Sequence, residues 1–443
     1  MRSGFKAVLV QAATGTGKTV VAADMLKTAA ERGFPSWFIN HRRELIKNSL
    51  ATFANVGVDA GVISSGFPRN DRALVQICSI QTLLRCFESL PQPRFVIWDE
   101  CHHLDAGSWA KIYHHLPDAF HVGFSATPIR LDGSSLAKYF QAMVRSPDVV
   151  WLQRRGILSK YRHLAPSDLD LSGVRARMGD YVRADLVAAI ERHKLTENCV
   201  KAYQRFADGR RAVIFAPSIE NSERAVELFR RAGITAEHVD GNSATEHRDA
   251  AIARFERGET LVLSNVDLFG EGFNVPQIEA VIMLRATLSV GLFLQMIGRC
   301  LRPSPGKADA VVIDMVGNWR RHGLASENRR WTLDPAPRRK PAPRTDLWVC
   351  ESCKVVNPER AYCEACGVPP KPSAKRKSDV DLWLQLTSTP GLADELRRKS
   401  YAEVSAWADT PEKIRLVAMV RNFARGWAWH RIRELTVASG GLT

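Results

Sequence analysis

The chain has 443 residues, 45% of them apolar and 25% charged, and Lys plus Arg outnumber Asp plus Glu by 62 to 47 for a net charge of +15. That is room for about three domains; the basic excess favours an anionic partner, most simply nucleic acid. No apolar run approaches the ~18 residues of a membrane-crossing helix, and the apolar stretch near the N-terminus is too short for the apolar region of a secretory leader, so the expected compartment is a cytoplasm: bacterial cytoplasm or nucleoid, or that of a host if the chain is phage-encoded.

The first element is a short buried strand, Ala7–Val10, in AVLVQAATGTGKT. Gly15, Thr16 and Gly17 then turn tightly, and a helix begins at Lys18. A phosphate-binding loop needs this order. Backbone N–H groups of Thr14, Gly15, Thr16 and Gly17 turn inward, the helix N-terminus attracts anions, Lys18 reaches the outer phosphates and the Thr19 hydroxyl ligates Mg²⁺. Ala12 stands where the general pattern has glycine.

Further on, VIWDECHH (96–103) sets Asp, Glu, Cys and two His behind an apolar run. Such residues could ligate a transition metal, or they could be the end of a buried strand offering acids to something else. The phosphate loop favours the second reading. Ligands of open α/β sheets lie at the carboxyl ends of strands, where Asp99 holds Mg²⁺ and Glu100 orients or deprotonates a water.

Strand-like runs alternate with helical ones throughout: Trp37–Asn40, Leu74–Ile80, Phe95–Asp99 and His121–Ser125, then, after a long helical pattern near 184–207, Ala212–Phe215, Thr235–Val239, Leu261–Ser264, Val281–Leu284 and Val311–Asp314. The expected class is α/β, with parallel sheets covered by helices on both faces.

ATGTGKT, DECH, SATP (125–128) and QMIGRCLRP (295–303), in that order, resemble the motifs of a superfamily 2 helicase or translocase, DECH-box members above all, including RadD-like DNA repair ATPases with a C-terminal zinc ribbon. The resemblance covers about residues 5–318 and implies two RecA-like lobes, 1–147 and 148–318, with ATP and Mg²⁺ between them. It implies that Ser125 and Thr127 couple hydrolysis to lobe movement and that His102 contacts the last motif at Gln295. Arg299 and Arg302 would reach the γ-phosphate from the opposite lobe. Gly272 and Asn274, in SNVDLFGEGFNVP (264–276), would approach the nucleotide, with Asn274 where family members often carry Asp. His41, Arg42, Thr82, Ser264 and Asn265 would hold a nucleic-acid backbone; for Thr82 the competing reading is local capping with Ser79. The glutamine that reads adenine in the family has no match here: either the start is placed too late or the adenine clamp is lacking, and in the second case relaxed base preference is expected.

Residues 319–345 read as a basic, Pro-rich linker. Cys350, Cys353, Cys363 and Cys366 follow as C-x2-C-x9-C-x2-C within a segment at 346–370. Two such pairs suit one tetrahedral, structural Zn²⁺, the alternatives being free thiols or redox chemistry. A basic linker at 371–378 precedes a helical region at 379–443, where Trp383, Trp407, Trp427 and Trp429 lie among arginines. That region either buries its tryptophans in a small helical domain or stacks single strands.

The expected activity is ATP hydrolysis driving a helicase or translocase, on DNA rather than RNA, in repair, recombination or replication. Single-strand-binding or other repair and replication proteins are the expected partners. The alternatives are a nucleotide-gated DNA clamp or recruitment module without strand separation, and an RNA helicase.

Overall fold

The structure is a computed structural model. It describes residues 4–41, 43–104, 107–128, 135–167, 169–177, 179–269, 275–334, 346–358, 362–370, 391–421, 423, 427–428, 430–431 and 434. Arg42, Gly272, Asn274, the 371–378 linker, Trp383 and Trp429 lie outside the described residues. The chain divides into two compact units, 1–368 and 369–443.

Seven parallel strands form the first lobe: β1 (Ala7–Gln11), β2 (Ser36–Asn40), β3 (Ala60–Ile63), β4 (Val75–Ser79), β5 (Phe95–Asp99), β6 (Phe120–Ser125) and β7 (Ala142–Arg145), in the order β3-β4-β2-β5-β6-β1-β7. Its helices are α1 (Lys18–Glu31), α2 (Arg43–Val56), α3 (Ile80–Leu83) and α4 (Gly107–His115), and α5 (Val149–Arg154) leads out of it. Side chains alternate across a strand, and in β2 and β5 both sets are apolar. Trp37, Ile39, Val96 and Trp98 join one core, and Phe38, Phe95 and Ile97 the other. Each face of the sheet is therefore covered, as a parallel sheet requires.

The second sheet is also parallel: β8 (Tyr161–Leu164), β11 (Ala212–Phe215), β12 (Ala236–Val239), β13 (Val262–Asn265), β14 (Ala280–Met283) and β15 (Ala310–Asp314), ordered β12-β13-β11-β14-β15-β8, with a hairpin of β9 (Ala176–Arg177) and β10 (Asp180–Tyr181) inserted after β8. Helices α6 (Arg183–Arg192), α7 (Leu195–Phe206), α8 (Ile219–Arg231), α9 (Thr245–Arg257), α10 (Val290–Gly298) and α11 (Trp319–His322) complete it. The single helix expected over 184–207 is two, because Lys194 takes left-handed backbone at φ 51° and breaks the hydrogen-bond ladder. The edge strands β3, β7 and β8 gave no strand signal in the sequence; all are four residues long.

After α11 the chain returns to the first lobe. Ser135 Oγ donates to Leu333 O at 2.6 Å, and Leu333 packs on the first lobe's core. The cysteine segment then forms β16 (Leu347–Val349) and β17 (Val356–Pro358) and lies on the second lobe. Val355 bridges to Leu164 at the end of β8, Ala165 N–H donates to Lys354 O at 2.9 Å, and Cys350, Val355 and Cys363 belong to the second lobe's core.

In the second unit, α12 (Leu392–Arg398), α13 (Tyr401–Trp407) and α14 (Pro411–Val420) enclose Leu396, Val404, Ile414, Leu416 and Val417, with Trp407, Phe423 and Trp427 against them. No helix among the described residues is long and apolar enough to cross a membrane.

Candidate active site

Gly17 takes left-handed backbone at φ 82° and starts α1, so the N–H groups of the first turn face the loop. Lys18 lies back across that loop and donates from Nζ to Ala12 O at 3.3 Å. Thr16 Oγ1 closes the turn onto Ala13 O at 2.8 Å. Thr14 Oγ1 is buried without a hydrogen-bond partner, a polar atom still to be satisfied.

β5 delivers Asp99 and Glu100 to the same place. Lys18 Nζ stands 4.0 Å from Glu100 Oε1. Burial, then the neighbouring Glu100 charge, push the Asp99 carboxyl up to about 7, against the opposing pull of Lys18 and His41. A buried acid beside another acid calls for a cation. Glu100 adopts left-handed backbone, φ 50°, unusual for a side chain of this kind. Its Oε2 is buried without a hydrogen-bond partner, 3.4 Å from His102 Nδ1. Thr19, Asp99 and Glu100 line the same cavity.

Ser125, the last residue of β6, joins these groups. Its Oγ lies 3.3 Å from His102 Nδ1 and accepts from Thr127 N–H at 3.1 Å, while its carbonyl accepts from Ala12 N–H at 3.0 Å. Gln11, which carried no assignment in the sequence, adds Nε2 to Ala126 O at 3.1 Å. Phosphate loop and SATP segment are thereby one bonded unit.

Helix α10 of the second lobe lies directly on that unit. A Cβ on Gly298 would fall 2.4 Å from Thr14 Cβ, and one on Gly291 would fall 2.9 Å from Thr127 Oγ1. These glycines are seven positions apart, about two helical turns, and so share a face. One turn on, the side chain of Arg302 reaches Gly15, where a Cβ would stand 3.2 Å from Arg302 Cγ. Gln295 and Arg299 are buried, and Arg299 Nε donates to Gln295 O at 3.3 Å. Burial, then the charge of Arg299, push the Arg302 guanidinium down to about 9, a cationic pair arranged to favour an anion.

Between the lobes lies a cavity of about 430 Å³, lined among others by Lys18, Thr19, Asp99, Glu100, Arg299 and Arg302. Asn48 and Thr52 of α2 and Pro276 also line it; nothing local in the sequence marks them.

The expected backbone-binding residues fare differently. Ser264 and Asn265 are fully buried: Ser264 Oγ meets Ser222 Oγ at 2.6 Å, and Asn265 Nδ2 donates to Ile214 O at 2.8 Å. Their side chains are thus spent on bonds within the second lobe. Both ring nitrogens of His41 are likewise shut off from solvent, with the ring 5.0 Å from that of His103 and close enough to Asp99 to act on its charge. Thr82 donates its N–H to Ser79 Oγ at 3.3 Å and accepts from Ser65 N–H at 3.3 Å, the capping arrangement.

The four ribbon thiols lie within 4.8 Å of one another, with Cys350–Cys366 and Cys353–Cys363 each at 3.5 Å. Tetrahedral thiolates about 2.3 Å from a metal stand ~3.8 Å apart, so the set fits. Each knuckle turns at a left-handed residue, Lys354 (φ 62°) or Gly367 (φ 72°). Burial pushes the Cys363 thiol up, but the N–H groups of Ala365 and Cys366 outweigh it and bring the group down to about 7.

Two parallel α/β lobes facing across one phosphate-loop cavity define a nucleoside triphosphatase of tandem RecA-like build. Family models described as "Type III restriction enzyme, res subunit" and "Helicase conserved C-terminal domain" match residues 1–130 and 193–304. The chain therefore belongs to the superfamily 2 helicases, and those domains make it an ATPase. It is 33% identical over 363 residues to a 51.5 kDa protein of a Lactococcus phage (isolate 7-9), covering 81% of this chain and 77% of that one. It is 28% identical to the Saccharomyces cerevisiae protein named "Putative ATP-dependent helicase IRC3", covering 72% of this chain and 49% of the relative, so it spans about half of that protein. The type ISP restriction-modification enzyme LlaBIII, solved bound to DNA, shares the fold with a TM-score of 0.54 at 15% identity, over 70% of this chain and 26% of that one.

Two outcomes follow from this geometry. Gly298→Ala inserts a methyl group where Thr14 already stands and holds the lobes apart; kcat for ATP should fall about 100-fold while binding of a fluorescent nucleotide is retained, and an unchanged kcat would refute the close approach. Asp99 is raised, so protons compete with Mg²⁺ as pH falls through 7; the Mg²⁺ concentration for half-maximal hydrolysis should rise by up to about tenfold per pH unit. Equal midpoints at pH 6 and pH 8 would show that Asp99 does not hold the ion.

Proposed function

We propose that this ATPase is a translocase or helicase acting on nucleic acid, DNA in preference to RNA, in the manner of the RadD-like repair enzymes, with work in repair, recombination or replication. The observation that carries the reading is the cavity where Lys18, Asp99 and Glu100 of one lobe face Arg299 and Arg302 of the other. Bound ATP with Mg²⁺ supplies the phosphoryl group; the chain's residues position it. Lys18 and the loop N–H groups hold the phosphates, Thr19 and Asp99 hold the cation, and Glu100 Oε2 accepts from the attacking water. Arg299 and Arg302 neutralise the charge that spreads during transfer. Because those arginines arrive with α10, hydrolysis is tied to lobe position, and a cycle of approach and withdrawal moves the lobes along a strand. The excess of 15 positive charges and the restriction-enzyme model over the first lobe support DNA. The four-cysteine cluster is read as a structural zinc ribbon that keeps β16 and β17 in place.

Phosphate release should rise on addition of single-stranded DNA and rise less with RNA of the same sequence. Lys18→Ala and Glu100→Gln should abolish it, and Arg302→Ala should lower kcat about 1,000-fold. Displacement of a strand from a forked duplex separates helicase from clamp. Hydrolysis indifferent to any nucleic acid, or unchanged in Arg302→Ala, would sink the proposal.

A purified sample should contain one zinc per chain by atomic emission. Cys353→Ser should lose the metal and lower the unfolding midpoint of the second lobe along with the ribbon, since Cys350 and Cys363 pack into that lobe's core. Full occupancy without the metal-dependent midpoint would refute the structural role.

A further inference from the structure

The segment that carries Arg302 lies beyond the end of α10: Cys300 N–H closes a last turn onto Ile297 O at 3.1 Å, but the 300–302 carbonyls have no helical partner. Its carbonyls are nevertheless satisfied. The chain doubles back through Ser304, Pro305 and Gly306, with Gly306 left-handed at φ 79° and Lys307 N–H on Ser304 O at 3.2 Å. That turn sends the Lys307 side chain underneath the segment. Its Nζ donates to Arg302 O at 2.7 Å, to Ile278 O at 2.7 Å and to Cys300 O. An ammonium has three donors, and all three are used on backbone carbonyls. Ser159, between α5 and β8, supports the same stretch, N–H to Leu301 O at 2.7 Å and Oγ to Arg302 O at 3.2 Å.

A cation beneath carbonyls just past a helix C-terminus is favourable, but this one is half-buried: burial lowers its pKa against the opposing pull of Cys300 and Glu279, and the charges of Arg302 and Arg210 add to the lowering. A lysine so placed is not a solvated surface charge. Ile278 follows Pro276, and both Pro276 and Arg302 line the nucleotide cavity.

We propose that Lys307 is a positioning residue for the second lobe's arginines: it fixes the backbone at 300–302 so that Arg302 meets the phosphate loop, and it fastens that backbone to the 276–278 wall of the same cavity. This rests on the reading of Arg302 given above. Lys307 touches neither nucleotide nor metal; it acts through the placement of Arg302.

The test uses the full chain with Lys307→Met, which keeps the length and loses the donors, and Lys307→Arg, beside Arg302→Ala. Lys307→Met should lower kcat about tenfold or more with nucleotide Kd unchanged. Lys307→Arg should recover part of the loss, and adding Lys307→Met to Arg302→Ala should slow it no further. A Lys307→Met enzyme with normal kcat, beside a crippled Arg302→Ala, overturns the positioning role and leaves the function intact. If Arg302→Ala is itself fully active, the function fails first. Where Lys307→Met does not fold, Ser159→Ala removes one bond to the same carbonyl: a lowered kcat at unchanged Kd supports the clamp, and an unaltered kcat opposes it.

Discussion

The constraint on which the rest depends is the approach of α10 to the phosphate loop. Two helical glycines, Gly291 and Gly298, let the backbone of one lobe touch Thr127 and Thr14 of the other with no side chain between. A contact of that kind has little latitude, because close-packed surfaces do not deform continuously. On the proposed reading the arginine side chains would therefore be either at the phosphates or withdrawn with their helix. The bonded unit formed by Ala12, Ser125, Ala126 and Gln11 carries the same rigidity into the first lobe. A change in charge at the nucleotide is then felt as a displacement of a whole lobe rather than of one side chain, which is what coupling hydrolysis to motion requires.

Electrostatics act in the same direction. The first lobe gathers two buried acids and one lysine, whereas the second contributes a guanidinium pair with Lys307 behind it. Each half is unfavourable alone: Asp99 resists ionising, and Arg302 is held below the ordinary arginine range. On the proposed reading, a polyanion with its divalent ion would relieve both at once, the cation on the acids and the outer phosphate on the arginines. The left-handed strain at Glu100 is a further local cost, sustained because it turns the carboxylate into the cavity.

What the sequence disclosed was whatever depends on neighbours in the chain. Gly-Lys-Thr after a strand, paired acids at a strand end, and two cysteine pairs are local patterns, and the structure brings each set together. Alternation of strands and helices likewise made the parallel sheets legible. Burial is not local: Ser264 and Asn265 look like strand-end polar residues until α8 is seen covering them, with Ser222 from that helix on Ser264 Oγ. The contacts of Gly298 and Lys307 join positions far apart in the chain or across a loop, and no periodicity announces them. Lys194 fits a helix by composition; only the packing of α6 against α7 imposes its left-handed turn.

The ribbon's place follows from the same sheet logic. β8 is an edge strand, and an edge leaves unpaired N–H and C=O groups that invite association. The cysteine segment covers the end of that edge through Leu164 and Ala165, while Leu347 and Val356 close over Ala165 and Trp319. Trp319 begins α11, the element from which the chain departs to Ser135 of the first lobe. The cysteine segment thus lies against both the edge of the second sheet and the root of the irregular segment that crosses to the first. A metal held by the four thiols would therefore stabilise the sheet edge and the α11 root together, apart from the residues that line the phosphate-loop cavity.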